Sequence, residues 1–232
     1  MPVPYGLRRD FDKANQILAE IEPQVNDASA EVKVRYHLEL GRTLASATHT
    51  DESQTDEAKE QARSAYMQAF ELAKESQLDY VAVDALHMMS FIVTEPKDQL
   101  EWDQKALAYM QASSQEEAKK WEASLRNNIG YALHSLDRYE EALAEFRGAL
   151  ALREKEGKAG SIRLAHWMVA WTLRSMGQLD EALEIQLRLE KECDQAGEPD
   201  PFVYEELEHI YKALNDPEKA EYYAGLRKTS NS

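Results

Sequence analysis

The sequence predicts an all-α fold, a solenoid of antiparallel helix pairs, and three observations carry that prediction. Glycine contributes 9 residues and proline 7, so 16 of 232 in all, well under the roughly 12% of average usage. β-rich folds need such residues at every corner. Apolar residues recur at steps of three and four almost from end to end, the period of an amphipathic helix. The pattern also repeats within the chain: the residues around Ala142 return near Ala182 and Ala220, at spacings of 40 and 38, as a helical repeat array requires.

The same arithmetic excludes several function classes. No Gly-x-Gly and no Gly-Lys-Ser/Thr occurs, so a dinucleotide fingerprint and a phosphate-cradling P-loop are absent. With 43% hydrophobic and 30% charged residues the chain can still bury a core.

Taken in order, the first element is a helix over Leu7 to Ile21, with Phe11, Ala14, Leu18 and Ile21 on one face and Pro23 ending it. It reads as a capping helix, residues 7–22, ahead of five helix pairs at about 29–76, 78–112, 115–157, 160–197 and 200–229, all within one domain of residues 1–232. In the third pair Ile129, Leu133 and Leu136 lead to a break at Asp137-Arg138, and Leu143, Phe146, Ala149 and Leu150 follow. The fourth repeats this design as Val169, Leu173 and Met176, a break at Gly177-Gln178, then Leu179, Ala182, Leu183 and Leu189. Going backwards, Ala149 is echoed by Ala106 and by Ala69, at spacings of 43 and 37. The segment 80–112 is the weakest copy. The polar end "DPEKAEYYAGLRKT" suits a terminal cap.

Residues 123–156 hold Ile129-Gly130, Leu133, Tyr139, Ala142-x3-Phe146 and Ala149. This resembles the tetratricopeptide repeat, whose pattern is Trp-x2-Leu-Gly-x2-Tyr, then Ala-x3-Phe, then often Pro. Leu40-Gly41, Leu44 and Ala62-x3-Tyr66 repeat it earlier; Gln186 takes the aromatic position of the fourth copy, and Glu208 a small-residue position of the fifth. "LRNNIGYALHSLDRYEEALAEFRGALALREKEG" is most similar to kinesin-light-chain-type repeats. The resemblance implies a right-handed superhelix of about 11 helices, with small residues at Gly130 and Ala142 allowing close helix approach and Phe146 filling the space toward the next pair. It also implies a module that binds protein.

Charge and cysteine content bound the setting. A net charge of −16, with no run of Lys and Arg interleaved with aromatics, argues against nucleic acid. Cys193 is the sole cysteine, so no internal disulfide forms and a reducing, cytoplasmic setting is expected. No apolar stretch of about 18 residues and no signal-like amino terminus is seen, so neither membrane insertion nor export is expected.

Chemistry-bearing clusters are sparse. The pairs Glu116-Glu117, Glu140-Glu141 and Glu205-Glu206 are adjacent on helices and so do not face one another; they read as solvated or first-turn acids. Histidines 37, 49, 87, 134, 166 and 209 show no metal-ligand spacing. Cys193, between Glu192 and Asp194, lacks the electropositive surroundings of a reactive thiol. Thr48 to Glu57 reads as a solvated loop inside the first pair. No enzyme, metal or cofactor is expected.

The first helices of the pairs, which line the concave surface in the resembled family, carry the candidate site. Once Ile129 and Leu133 are assigned to packing, the exposed stripe reads Asn127, Tyr131 and His134. The same offsets give Leu38, Arg42 and Ala45, with Arg35 a turn earlier; Asp84, Met88 and Phe91; Trp167, Trp171 and Arg174; and Glu205, His209 and Lys212. Aromatic, Met and Arg side chains are enriched at protein interfaces, and the stripe is therefore read as a peptide- or protein-binding groove. Aromatics at helical spacing equally form core, so Trp167 and Trp171 face either way until the register is known. Tyr131, Trp167 and Trp171 would anchor apolar side chains, Asn127 would satisfy peptide backbone, and Arg42, Arg174 and Lys212 would pair with acidic groups of the partner. A self-associating scaffold that uses outer or terminal faces is the alternative.

Overall fold

A computed structural model describes residues 10–45 and 55–230, and among these every regular element is a helix. They are α1 (Phe11–Val25), α2 (Ala30–Leu44), α3 (Asp56–Glu75), α4 (Asp79–Ser90), α5 (Pro96–Ala112), α6 (Glu116–Lys119), α7 (Glu122–Ser135), α8 (Tyr139–Glu156), α9 (Ala159–Ser175), α10 (Leu179–Ala196), α11 (Pro201–Ala213) and α12 (Pro217–Ser230). Eleven run 12 residues or longer and α6 is a single turn of 4, so the expected all-α class and helix number are met.

The helix ends follow from local chemistry. Asp10 and Thr55 cap α1 and α3 by accepting from the backbone amides of Lys13 and Ala58, which satisfies donors left over in the first turn. Most connections use one residue in the left-handed region. Gln77, Asp137 and Asn215 share it with Gly157, Gly177 and Gly197, and the following amide reaches back to the helix, as in Arg138 N to Leu133 O at 3.0 Å and Gln178 N to Leu173 O at 2.9 Å. Such turns use one residue each, and half of those six are not glycine. The low glycine count is explained.

Two expected boundaries move. Pro23 lies inside α1, which continues to Val25; Val25 is buried and packs with Leu18 and Tyr36, so the last turn is held by packing despite the missing amide hydrogen. The start expected at Leu7 lies outside the described residues. So does most of the loop expected over Thr48–Glu57, but its end is not loop: Asp56 and Glu57 form the acidic first turn of α3.

The chain forms two compact units, residues 1–132 and 133–232, with the boundary inside α7. In the first, each of α1 to α5 packs on the next, and α2 also touches α4. Its core is centred on Tyr66, fully buried against Leu38, Ala62, Ala69, Ala82, Ala85 and Met89. In the second, α8 to α12 pack in chain order and α9 also touches α11. Leu189, Val203, Leu207, Tyr211 and Tyr223 form its core, with the Tyr211 and Tyr223 rings stacked at 5.6 Å and 5°. Neighbour-on-neighbour packing with next-but-one contact between first helices is how stacked hairpins bury a core that no single pair supplies.

The substitutions noted in the repeat pattern are accommodated differently. Glu208 is buried but takes Lys212 at 2.5 Å and Arg227 at 3.2 Å, and the Lys212 hydrogen bond leads in holding its carboxyl below the usual range. Gln186 is buried with neither amide atom bonded to any described group. Cys193 is buried on α10, and burial pushes its thiol up, which makes it inert packing at neutral pH.

Candidate functional site

The stripe predicted from the first helices divides between the two units, and each part has its own chemistry. In unit 2, Trp167 and Trp171 stand one turn apart on α9, on the same face. Their rings stack at 5.8 Å and 21°. The imidazole of His134 stacks on Trp171, with centroids 3.4 Å apart and planes within 18°. Tyr139 meets the edge of His134 at 4.9 Å. The result is a ladder of indole, indole and imidazole whose members are all half-buried.

Hydrogen bonds fix the ladder at both ends. Trp167 Nε1 donates to the Phe202 carbonyl at 3.2 Å, and Phe202, in the first turn of α11, is 62% exposed. At the other end the Ser175 hydroxyl donates to the Trp171 carbonyl at 3.1 Å. Its hydrogen being committed there, the contact of 3.0 Å to His134 Nε2 has the imidazole N–H as donor. Burial first, and the Arg174 charge second, lower the His134 pKa to about 4. The ring is neutral at physiological pH and stacks as an aromatic.

Arg174, one turn beyond Trp171, does not wait for a ligand. It spans α9 to α11 in a fork on Glu206, at 2.7 and 2.9 Å, and Glu206 is buried. Lys212 bonds Glu208 at 2.5 Å. His209 is exposed.

In unit 1, Arg42 is buried, and its Nη2 reaches both oxygens of Asp84 at 2.7 and 2.8 Å. Met88, 7% exposed, belongs to the core with Val81, Ala85 and Ile92, not to an open groove. The reason is register: on α4 every residue from Val81 to Ser90 except Asp84 is buried, so that helix has almost no solvent face. Arg35 is exposed and paired with Glu31 at 2.8 Å. Tyr131 is 50% exposed. Asn127 is half-buried, and its amide, unlike that of Asn128, enters no hydrogen bond among the described residues.

Arg42, Arg174 and Lys212, expected to pair with acidic groups of a partner, each meet a carboxylate of this chain, as does Arg35. Sequence reasoning also missed two features. His87 sits between Asp103, 3.2 Å from its Nδ1, and the rings of Phe91 and Trp121, where the buried Asp103 of α5 ties α4 in place. Arg35, Arg42 and Asp84 border a hollow of about 320 Å³ whose walls are Ile17, Leu18, Ile21, Val32 and Tyr36 of α1 and α2. The apolar face of α1 is legible in the sequence, but the hollow is not, since it depends on how α1 crosses α2. Among the described residues no three of His, Cys, Asp and Glu gather as a metal ion needs, and no helix is long and apolar enough to cross a membrane.

Residues 121–190 match the family model described as tetratricopeptide repeat. The chain has a tetratricopeptide-repeat fold. The solved structure of BtubC (BKLC) from P. vanneervenii aligns over 97% of this chain and 91% of its own, with a TM-score of 0.76 and 16% identity. A Podosopora anserina putative kinesin light chain with nearly identical TPR-like repeats aligns over 86% of this chain and 95% of its own, with a TM-score of 0.64 and 13% identity. A Rap protein complexed with Competence and Sporulation Factor aligns over 93% of this chain at a TM-score of 0.57 and 15% identity, and this chain spans 58% of it. At such identities the likeness concerns the fold. No curated protein matches the sequence. The repeats of this fold therefore account for the helix pairs, while the aromatic ladder has to be argued from this chain's own side chains.

Proposed function

We propose that this tetratricopeptide-repeat chain is a non-catalytic protein-interaction module of the cytoplasm, and that the Trp167–Trp171–His134 ladder is where it grips an extended peptide segment of its partner. The ladder carries the reading. The two indoles on one helix face are only partly buried, and Trp is among the residues most enriched where binding energy concentrates. Stacking holds both rings, and the bond to the Phe202 carbonyl fixes that of Trp167, so a ligand meets a preformed surface and little side-chain freedom is lost on binding. A structural neighbour with bound Competence and Sporulation Factor supports the idea that this fold holds a partner.

Because Arg42, Arg174 and Lys212 are satisfied internally, the partner is read as apolar or aromatic, with no acidic requirement. The test is affinity capture from native lysate with the wild-type chain and with Trp167→Ala/Trp171→Ala, helicity being checked by circular dichroism. Proteins retained by the wild type are expected to be lost by the variant. An unchanged set of retained proteins, with helicity intact, overturns the assignment.

A further inference from the structure

The hollow between α1 and α2 lies within unit 1 and plays no part in the reading above. Ile17, Leu18 and Ile21 border it from α1, and Val32 and Tyr36 from α2. A second hollow, of about 570 Å³, is also bordered by Ile21 and Val32 and runs on to Pro23, Val25 and Ala28. These two shared side chains are 36% and 46% exposed. They form a ridge with a depression on each side. Two depressions parted by one side-chain ridge suit a ligand that presents apolar side chains a single helical turn apart, the i and i+4 spacing of an amphipathic helix.

Charge decides the other face of that ligand. Residues 10–44 contain seven acids and four bases, a net charge of −3, on a chain of −16. Glu20 and Glu22 flank Ile21 and are exposed, and Glu22 is near enough to Tyr36 to add to the effect of burial in raising that phenol. The deepest cation of the hollow, Arg42, is locked onto Asp84. An anionic ligand finds no counterpart here. A second copy of the chain would bring another −16, which self-repulsion disfavours.

We infer that the α1–α2 hairpin is a second docking surface, for a cationic amphipathic helix of a partner protein. The apolar face of that helix lies in the two hollows, and its Lys or Arg residues meet Glu20 and Glu22. The probe is a synthetic Leu/Lys peptide of about 18 residues, five helical turns, with leucine on one face. Its site is read from the isoleucine δ1 methyl signals of the full chain, which has seven isoleucines. The peptide is expected to move Ile17 and Ile21, to leave Ile185 and Ile210 in place, and to bind about tenfold more weakly to Val32→Lys. Val32 is a surface residue, so that variant keeps its fold. Trp167→Ala/Trp171→Ala should bind the peptide unchanged, which separates this surface from the aromatic ladder. The inference is overturned if Ile17 and Ile21 do not move, if shifts spread over all seven methyls, or if a Leu/Glu peptide of the same pattern binds as well. Light scattering that shows dimers dispersed by Val32→Lys overturns it in favour of a second copy.

Discussion

The Tyr66 ring fills the place where Gly41 would carry a side chain: a Cβ on Gly41 would lie 2.4 Å from Tyr66 Cε1. The ring is fully buried between α2 and α3, and its hydroxyl donates to the Ala45 carbonyl at 3.1 Å, just past the end of α2. The small residue of the Leu40-Gly41 motif thus sets how closely the two helices approach. Gly41→Ala is expected to destabilise the fold by about 2 kcal/mol or more, since neither the ring nor the helix backbone can yield without losing that bond. Tyr66→Phe keeps the shape and should cost only about 1 kcal/mol. Urea unfolding followed by circular dichroism measures both; a Gly41→Ala chain as stable as wild type would show that the helices can part freely.

Arg42 and Asp84 present a second case in which α2 is fixed to a neighbour, here α4. Their side chains are 9% and 13% exposed. Removing one partner strands a charge away from water, which outweighs whatever the pair itself contributes. Asp84→Ala is expected to lower unfolding free energy by about 3 kcal/mol, and Arg42→Met/Asp84→Leu by clearly less, since the double change leaves no unpaired charge. If the double variant is as unstable as the single one, shape and not charge governs this contact.

These two contacts also show what was legible in the sequence. The repeat offsets placed Gly41, Arg42, Trp167, Trp171 and Arg174 on the first helices of their pairs, because helical periodicity and the glycine or alanine positions depend on neighbours three to seven residues away. The partners of Arg42 and Arg174, 42 and 32 residues distant, were not legible. They depend on how each helix is rotated against the next, and no local pattern encodes that rotation. Met88 was misplaced for the same reason, since α4 is buried nearly all round and has no stripe to read. The hollow beside α1 needed the α1–α2 crossing itself.

His134 gives the fold a dependence on acid. In the folded chain its imidazole stays neutral down to about pH 4, whereas in the unfolded chain it takes up a proton below about 6.5. Above pH 6.5 the two states bind the same number of protons and stability does not change through this group. As pH falls from 6.5 to 4 the unfolded state gains a proton that the folded state does not, so stability declines across that window. His37 and His166 are lowered by burial as well and act in the same direction. The melting temperature should therefore drop between pH 7 and pH 4.5. His134→Phe, which keeps a ring on Trp171 but cannot titrate, should drop by less; equal slopes would mean that the imidazole is protonated in place.

Gln186 occupies the position where the third pair has Phe146, and both residues are fully buried. Phe146 there lies 6.5 Å from the Trp171 ring, apolar against apolar. The Gln186 amide has given up water without gaining a hydrogen bond from any described residue, and an unmet buried amide costs about 1–3 kcal/mol. Methionine has nearly the same length and flexibility and no such requirement. Gln186→Met is thus expected to stabilise the chain by about 1 kcal/mol or more, read as a higher urea midpoint at unchanged slope. A lower midpoint would mean that the amide is bonded in solution, through a water held between α10 and its neighbours, and that the departure from the repeat pattern at this position serves to hold it.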